Sequence, residues 1–215
     1  MTPSSRRPRS TSAPVRVPST LWALGPKPLD PDDRWPEPVL AHTIAEFSEP
    51  GSRVMLVGWP APTARGNLRV LEPDTAAAVA EIGDLDRHGL DAPTDRNRSG
   101  EPVDLVIASL LAEHFDPIAA AEHVAALATE VMAMGGLLVV LSRCRHSDSG
   151  VLTDPAGSVV AAAQAADLLY LQHIIAAPVS GTAVTAPPAD PASSGTAPHV
   201  VAHTDVFVFL QPAHG

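Results

Sequence analysis

The chain has 215 residues, 45% of them apolar and 4% aromatic, with a formal net charge of -10. That length allows one domain, or one domain with tails, and the acidic balance excludes nucleic-acid binding driven by overall charge. No apolar run approaches the roughly 20 residues of a membrane helix, and the single cysteine, Cys144, excludes an internal disulfide and a cysteine-based zinc cluster.

No apolar segment follows the early arginines in the way a secretory signal requires, so a cytoplasmic protein without membrane contact is expected. Proline is the unusual component. There are 23 prolines, of which 9 fall in the first 38 residues and 5 more between Pro178 and Pro198. Residues 1–31 therefore read as a disordered Pro/Arg/Ser-rich arm, because proline fixes φ and removes a donor. Its first sixteen residues carry Arg6, Arg7, Arg9 and Arg16 and no acid. They fit either contact with DNA or another partner or a solvated terminus.

Pro38 to Phe47 reads as a helix, with Val39, Leu40, Thr43, Ile44 and Phe47 on one face. Pro50-Gly51 stops it. Arg53 to Gly58 is a short apolar run of the buried-strand type. Trp59 to Asn67 is a loop, and Leu68 to Glu72 a weak second strand. Asp74 can cap a helix reaching about His88, with Ala76, Val79, Ala80 and Ile82 as its stripe. Gly89 to Pro102 reads as polar loop.

Asp104 to Ser109 is another buried-type strand. Asp116 and Pro117 open a helix to Met134, and Gly135-Gly136 end it. Leu137 to Ser142 is a strand. Asp154 caps a helix from Pro155 to Ala166, and Leu168 to Ile175 is a strand. A flexible insertion at about 177–198 follows. Thr204 to Leu210 is a β-branched and aromatic strand. Alternating strands and helices predict a doubly wound, mostly parallel α/β sheet with an antiparallel C-terminal strand, over residues 32–212.

Several side chains invite a chemical reading. Arg143, Arg145 and His146 follow a strand at its carboxyl end, the edge where open α/β sheets bind ligands. They read as ligand or DNA contacts, or as a solvated loop. Cys144 lies between two cations that would lower its pKa, or it is a plain half-buried thiol. Ser109, Glu113 and His114 cannot be joined into a triad from spacing alone, and no Gly-x-Ser-x-Gly elbow exists. His199 and His203 share a side of an extended segment, but no third metal ligand is evident, so no metal is expected. His173, inside an apolar strand, reads as a core or edge histidine.

Asp104 to Ser109, the Met134-Gly-Gly-Leu-Leu-Val-Val-Leu141 run and the paired terminal strands together resemble the second half of a class I S-adenosylmethionine-dependent methyltransferase. More narrowly, Pro36 to Gly58 and His199 to Phe209 are similar to actinobacterial N4-cytosine and N6-adenine DNA methylase-like proteins. The resemblance implies a Rossmann-like methyltransferase fold and S-adenosylmethionine as cofactor. It assigns Gly58, Trp59 and Glu72 to the cofactor, Glu72 as the ribose acid, and Ser109 to catalysis. It also implies DNA as partner, through the arginine arm or the Arg143/Arg145 loop. The chain departs from the family twice. Val57-Gly58-Trp59-Pro60-Ala61-Pro62 stands where a glycine-rich turn is usual, and Ser109-Leu110-Leu111-Ala112 where a polar residue, two prolines and an aromatic stack a flipped base. The expectation is a diverged methyltransferase-like protein impaired in base methylation. The alternative is an active methyltransferase with a remodelled pocket, for nucleic acid or a small molecule.

Overall fold

The computed structural model describes residues 20–30, 32–58, 64–65, 68–69, 73–92, 100–111, 116–146, 151–186 and 202–213. In chain order the elements begin with β1 (Leu21–Ala23), α1 (Glu37–Phe47), β2 (Arg53–Gly58), β3 (Ala64–Arg65), β4 (Leu68–Arg69), α2 (Pro73–Asp84), β5 (His88–Asp91) and β6 (Val103–Ser109). They continue with α3 (Pro117–Val131), β7 (Met132–Ser142), β8 (Arg145–His146), β9 (Leu152–Thr153), α4 (Ala156–Ala165), β10 (Leu169–Ala177), β11 (Val179–Ser180), β12 (Ala183–Val184) and β13 (Thr204–Leu210).

Seven strands form one sheet in the order β1-β10-β13-β7-β6-β2-β5. All its neighbours run parallel except β13, which is antiparallel to both β10 and β7. This is the doubly wound sheet with an antiparallel C-terminal strand that the element order predicts. β3 with β4, β8 with β9, and β11 with β12 form separate two-stranded hairpins.

Alternation along each strand sorts the core into two layers. Val54, Leu56, Leu105, Ile107, Val139, Leu141, Val206 and Val208 face α1 and α2. Met55, Val57, Val106, Ala108, Leu138, Val140, Phe207 and Phe209 face α3 and α4. On α1, Val39, Leu40 and Ile44 are fully buried, each such burial giving about 1.5–3 kcal/mol. Asp116 caps α3 by accepting from the Ile118 N–H at 2.9 Å, and Asp154 accepts from the Ala156 N–H at 2.9 Å ahead of α4.

Four local expectations change. Leu21–Ala23, within the expected arm, pairs in parallel with Ile175–Ala177 at the sheet edge, because Trp22 buries its indole on the α1 side. The strand beside β2 is His88–Asp91, not Leu68–Glu72. Gly89 permits this, since a Cβ there would lie 2.7 Å from the Val79 carbonyl oxygen of α2. α2 buries Thr75, Ala78 and Ile82, leaving Ala76 and Ala80 exposed. Finally, α3 ends at Val131 and β7 starts at Met132. Gly135 lies inside β7 with φ of 81°, a left-handed conformation that suits glycine.

Candidate functional site

The chain runs from β2 through α2 to β5 on one side, then returns to β6 on the other. The crevice outside the carboxyl ends of β2 and β6 is therefore the switch point where open α/β sheets bind ligands. Gly58 and Ser109 are register partners at that edge. Both continue the α1/α2 face, two residues beyond Leu56 and Ile107.

The residues ahead of α1 lie directly on this ledge. A Cβ on Gly58 would come 3.7 Å from Trp35 Cζ2 and 3.8 Å from Arg34 Cδ. The Ser109 hydroxyl, fully buried, donates to the Arg34 carbonyl oxygen at 2.6 Å. Trp35 is buried, and its indole N–H donates to the Thr75 hydroxyl in the first turn of α2. Arg34 Nε lies 3.5 Å from Asp74 Oδ2. Asp33 Oδ1 accepts from the Trp35 N–H at 2.9 Å, an Asx-type turn that bends the segment over the edge. Asp33 to Pro36 thus forms a strap across the switch point.

Arg143 and Arg145 belong to the same edge, at the end of β7. Arg143 is 4% exposed. Its Nη2 donates to the Asp33 carbonyl oxygen at 3.4 Å, and Arg145 Nη2 donates to the Leu110 carbonyl oxygen at 2.6 Å. Both arginines thus hold backbone of the edge, rather than projecting only into solvent. Leu110 and Leu111 are buried on opposite faces of the sheet.

The structure therefore brings Gly58, Ser109, Arg143 and Arg145 together. Trp59, Glu72, Glu113, His114, His199 and the arginine arm lie outside the described residues. Sequence reasoning missed Arg34 and Trp35, which sit in a proline-rich run with no periodicity to mark them. It also missed Asp91, the acid ending the strand beside β2, in register with Leu56. The signal there was weak, a four-residue strand with Leu90 as its one large apolar residue.

Between the strap and α2 lies a cleft of about 530 Å³ whose lining includes Asp33, Glu37, Asp74, Glu81 and Asp84. Burial raises the Asp33 carboxyl above its usual range. Asp30 and Asp74 add to the rise, against the Trp35 N–H and Arg143. Burial also raises Glu81, with Glu37, Asp33 and Asp84 adding repulsion.

A second polar cluster lies on the other face. His173 Nε2 and His203 Nε2 meet the same oxygen, Asp205 Oδ1, at 2.8 and 3.5 Å. The His173 ring stacks on Phe207 with centroids 4.5 Å apart. Burial pushes the Asp205 carboxyl up, but bonds from His203 and His173 outweigh it and the net shift is down. The bond to Asp205 raises His203 against the opposing effect of burial. The Cys144 thiol is raised by burial and by Asp154 and Asp205, which makes it a poor nucleophile despite its arginine neighbours. Among the described residues no group of three His, Cys, Asp or Glu side chains is placed to hold a metal ion. No helix among them is long and apolar enough to cross a membrane.

No protein-family model matches the chain, and no curated protein matches its sequence. Among solved structures it is similar to the N-methyltransferase NodS from Bradyrhizobium japonicum WM9. The identity is 13%, over 81% of this chain and 93% of that one, with a TM-score of 0.45. NodS has also been solved in complex with S-adenosyl-L-homocysteine. A second similar structure is a SAM-dependent methyltransferase from Methanosarcina mazei, at 7% identity over 80% of this chain and 97% of that one, TM-score 0.45. A third is a methyltransferase from Pyrococcus furiosus, at 9% identity over 80% and 81%, TM-score 0.43. The architecture rests on the strand order and directions, which make a Rossmann-like α/β sheet with one antiparallel C-terminal strand.

Proposed function

We propose that the chain is a diverged methyltransferase-like protein, related to DNA amino-methylases, that is impaired in base methylation because its own residues close the cofactor ledge. The observation that carries this reading is the seating of Arg34 and Trp35 on Gly58 and Ser109. A glycine at this position lets a ligand approach the backbone. Here the indole and the arginine stem take that approach. In this reading the seated strap keeps S-adenosylmethionine off Gly58. Ser109, the residue matching the catalytic polar position, spends its hydroxyl proton on the Arg34 carbonyl. In this reading the protein serves as a binding module.

DNA is the proposed partner, on the strength of the sequence resemblance. Arg143 is almost fully buried and Arg145 half-buried, so this reading relies on Arg145 and on the sequence's Arg6, Arg7, Arg9 and Arg16 for the contact. Isothermal calorimetry of the full chain with S-adenosylmethionine at pH 4.5 should show no heat at millimolar concentration. Methyl transfer from labelled cofactor to DNA would overturn the reading.

A second reading, an active methyltransferase with a remodelled pocket, is favoured by Asp91. This carboxylate ends the strand next to β2, the place where the resembled family holds the ribose hydroxyls. In that reading Trp35 is a pocket wall, and Asp91→Asn should weaken cofactor binding about ten- to a hundredfold, the effect of losing one charged hydrogen bond.

A further inference from the structure

The strap is held by several contacts but sits in a crowd of like charges. Asp33 belongs to it, and Glu37 follows it at the start of α1. From α2, Asp74, Glu81 and Asp84 line the same cleft, and Asp30 acts on Asp33 from the preceding loop. The cations facing this group are Arg34, at 3.5 Å from Asp74, and Arg143, whose bond to the Asp33 carbonyl is long at 3.4 Å.

We propose that Asp33 to Pro36 is a pH-responsive cover over the Gly58/Ser109 crevice, clamped when Asp33 and Glu81 are protonated and loosened when they ionise. The inference rests on the closed-ledge reading and adds its regulation. Ionised carboxylates lining one partly buried cleft repel more strongly than in water. Every added negative charge on Asp33 or Glu81 pushes the strap from α2. The raised Asp33 and Glu81 carboxyls agree in sign. A group more easily protonated in the folded state contributes stability at low pH and loses it as pH rises through its folded pKa. Loosening withdraws the Arg34 carbonyl from Ser109 and the indole from Gly58, and so exposes the ledge.

The full chain labelled with 5-fluorotryptophan gives a fluorine resonance for each of Trp22, Trp35 and Trp59, and Trp35→Phe identifies the relevant one. Between pH 4.5 and 7.5 the Trp35 resonance should move toward its solvent-exposed position. Asp33→Asn, Glu81→Gln and the double variant should progressively remove that movement. Trp22 has its own titratable neighbour, His42, at 5.6 Å between ring centroids, so its shift is not read. A Trp35 resonance that stays fixed across this range, or that moves equally in the double variant, overturns the proposal. Heat from S-adenosylmethionine while Trp35 remains in its buried position would instead overturn the closed-ledge reading and leave the pH response standing.

Discussion

The indole N–H of Trp35 donates to the hydroxyl of Thr75 across 3.1 Å. Both side chains are buried, so this bond ties the chain ahead of α1 to the first turn of α2. Thr75→Val keeps the shape and removes the acceptor. The stranded N–H should cost about 1–3 kcal/mol. Urea unfolding should show a lower midpoint with an unchanged slope. An unchanged midpoint would mean that the indole finds another partner.

Ser109 separates structural from catalytic use. Its hydroxyl supports the Arg34 carbonyl, so Ser109→Ala should lower stability by about 0.5–1.5 kcal/mol. Thermal unfolding checks this directly. A variant of unchanged stability that abolishes methyl transfer would reverse the assignment and make Ser109 a catalytic residue.

Gly89 sets how closely α2 lies on β5. In Gly89→Ala the new Cβ meets the Val79 carbonyl oxygen at 2.7 Å, Val79 Cγ1 at 3.1 Å and Ile82 Cβ at 3.2 Å. Overpacking of this kind costs about 1–3 kcal/mol. Gly83, near the end of the same helix, has nothing within 4 Å of its Cβ position, so Gly83→Ala should be neutral or slightly stabilising. Equal melting temperatures for the two variants would contradict the close-approach account.

The Asp205 cluster gives stability two pH limits of opposite sign. Asp205 titrates below its ordinary value. Its contribution is present above about pH 3.9, the unfolded value, and disappears as pH falls through the lower folded pKa. His203 is raised, so its contribution is full below about pH 6.5 and lost as pH rises through the higher folded pKa. Asp205→Asn should remove both slopes, and loss of a charged acceptor costs about 1.5–3 kcal/mol per bond. Melting temperature against pH, compared between wild type and variant, reads both limits. Parallel curves would show that the cluster does not control them.

The interior of the sheet was legible because strands buried on both faces are continuous apolar runs. β2, β6, β7 and β13 read that way, and Asp116 and Asp154 mark helix starts by capping chemistry that acts within a few residues. β5 was not legible. An edge strand packed on one side needs little apolar sequence, and Gly89 looked like a loop residue when it was making room for a helix. The strap was equally hidden. Arg34 and Trp35 act by crossing the end of a sheet, and no periodicity encodes that. Nor does spacing reveal the histidine pair on Asp205. Sequence proximity suggested His199 with His203, whereas the antiparallel register of β10 and β13 brings in His173, 32 residues from Asp205. The sequence pointed to Ser109, Arg143 and Arg145, and their observed contacts are with the backbone of the chain itself.

The place of β13 in the sheet has a bearing on biosynthesis. Among the described residues, β10 meets the remaining strands only through β13, and β1 only through β10. A ribosome that has delivered everything before Thr204 has therefore made β1 and β10 without the piece that joins them to β7. The first strand of the sheet must wait for the last, the kind of remote pairing that slows folding. Loss of β13 alone would unhitch three strands rather than one, so the C-terminal strand acts as the keystone of the whole assembly.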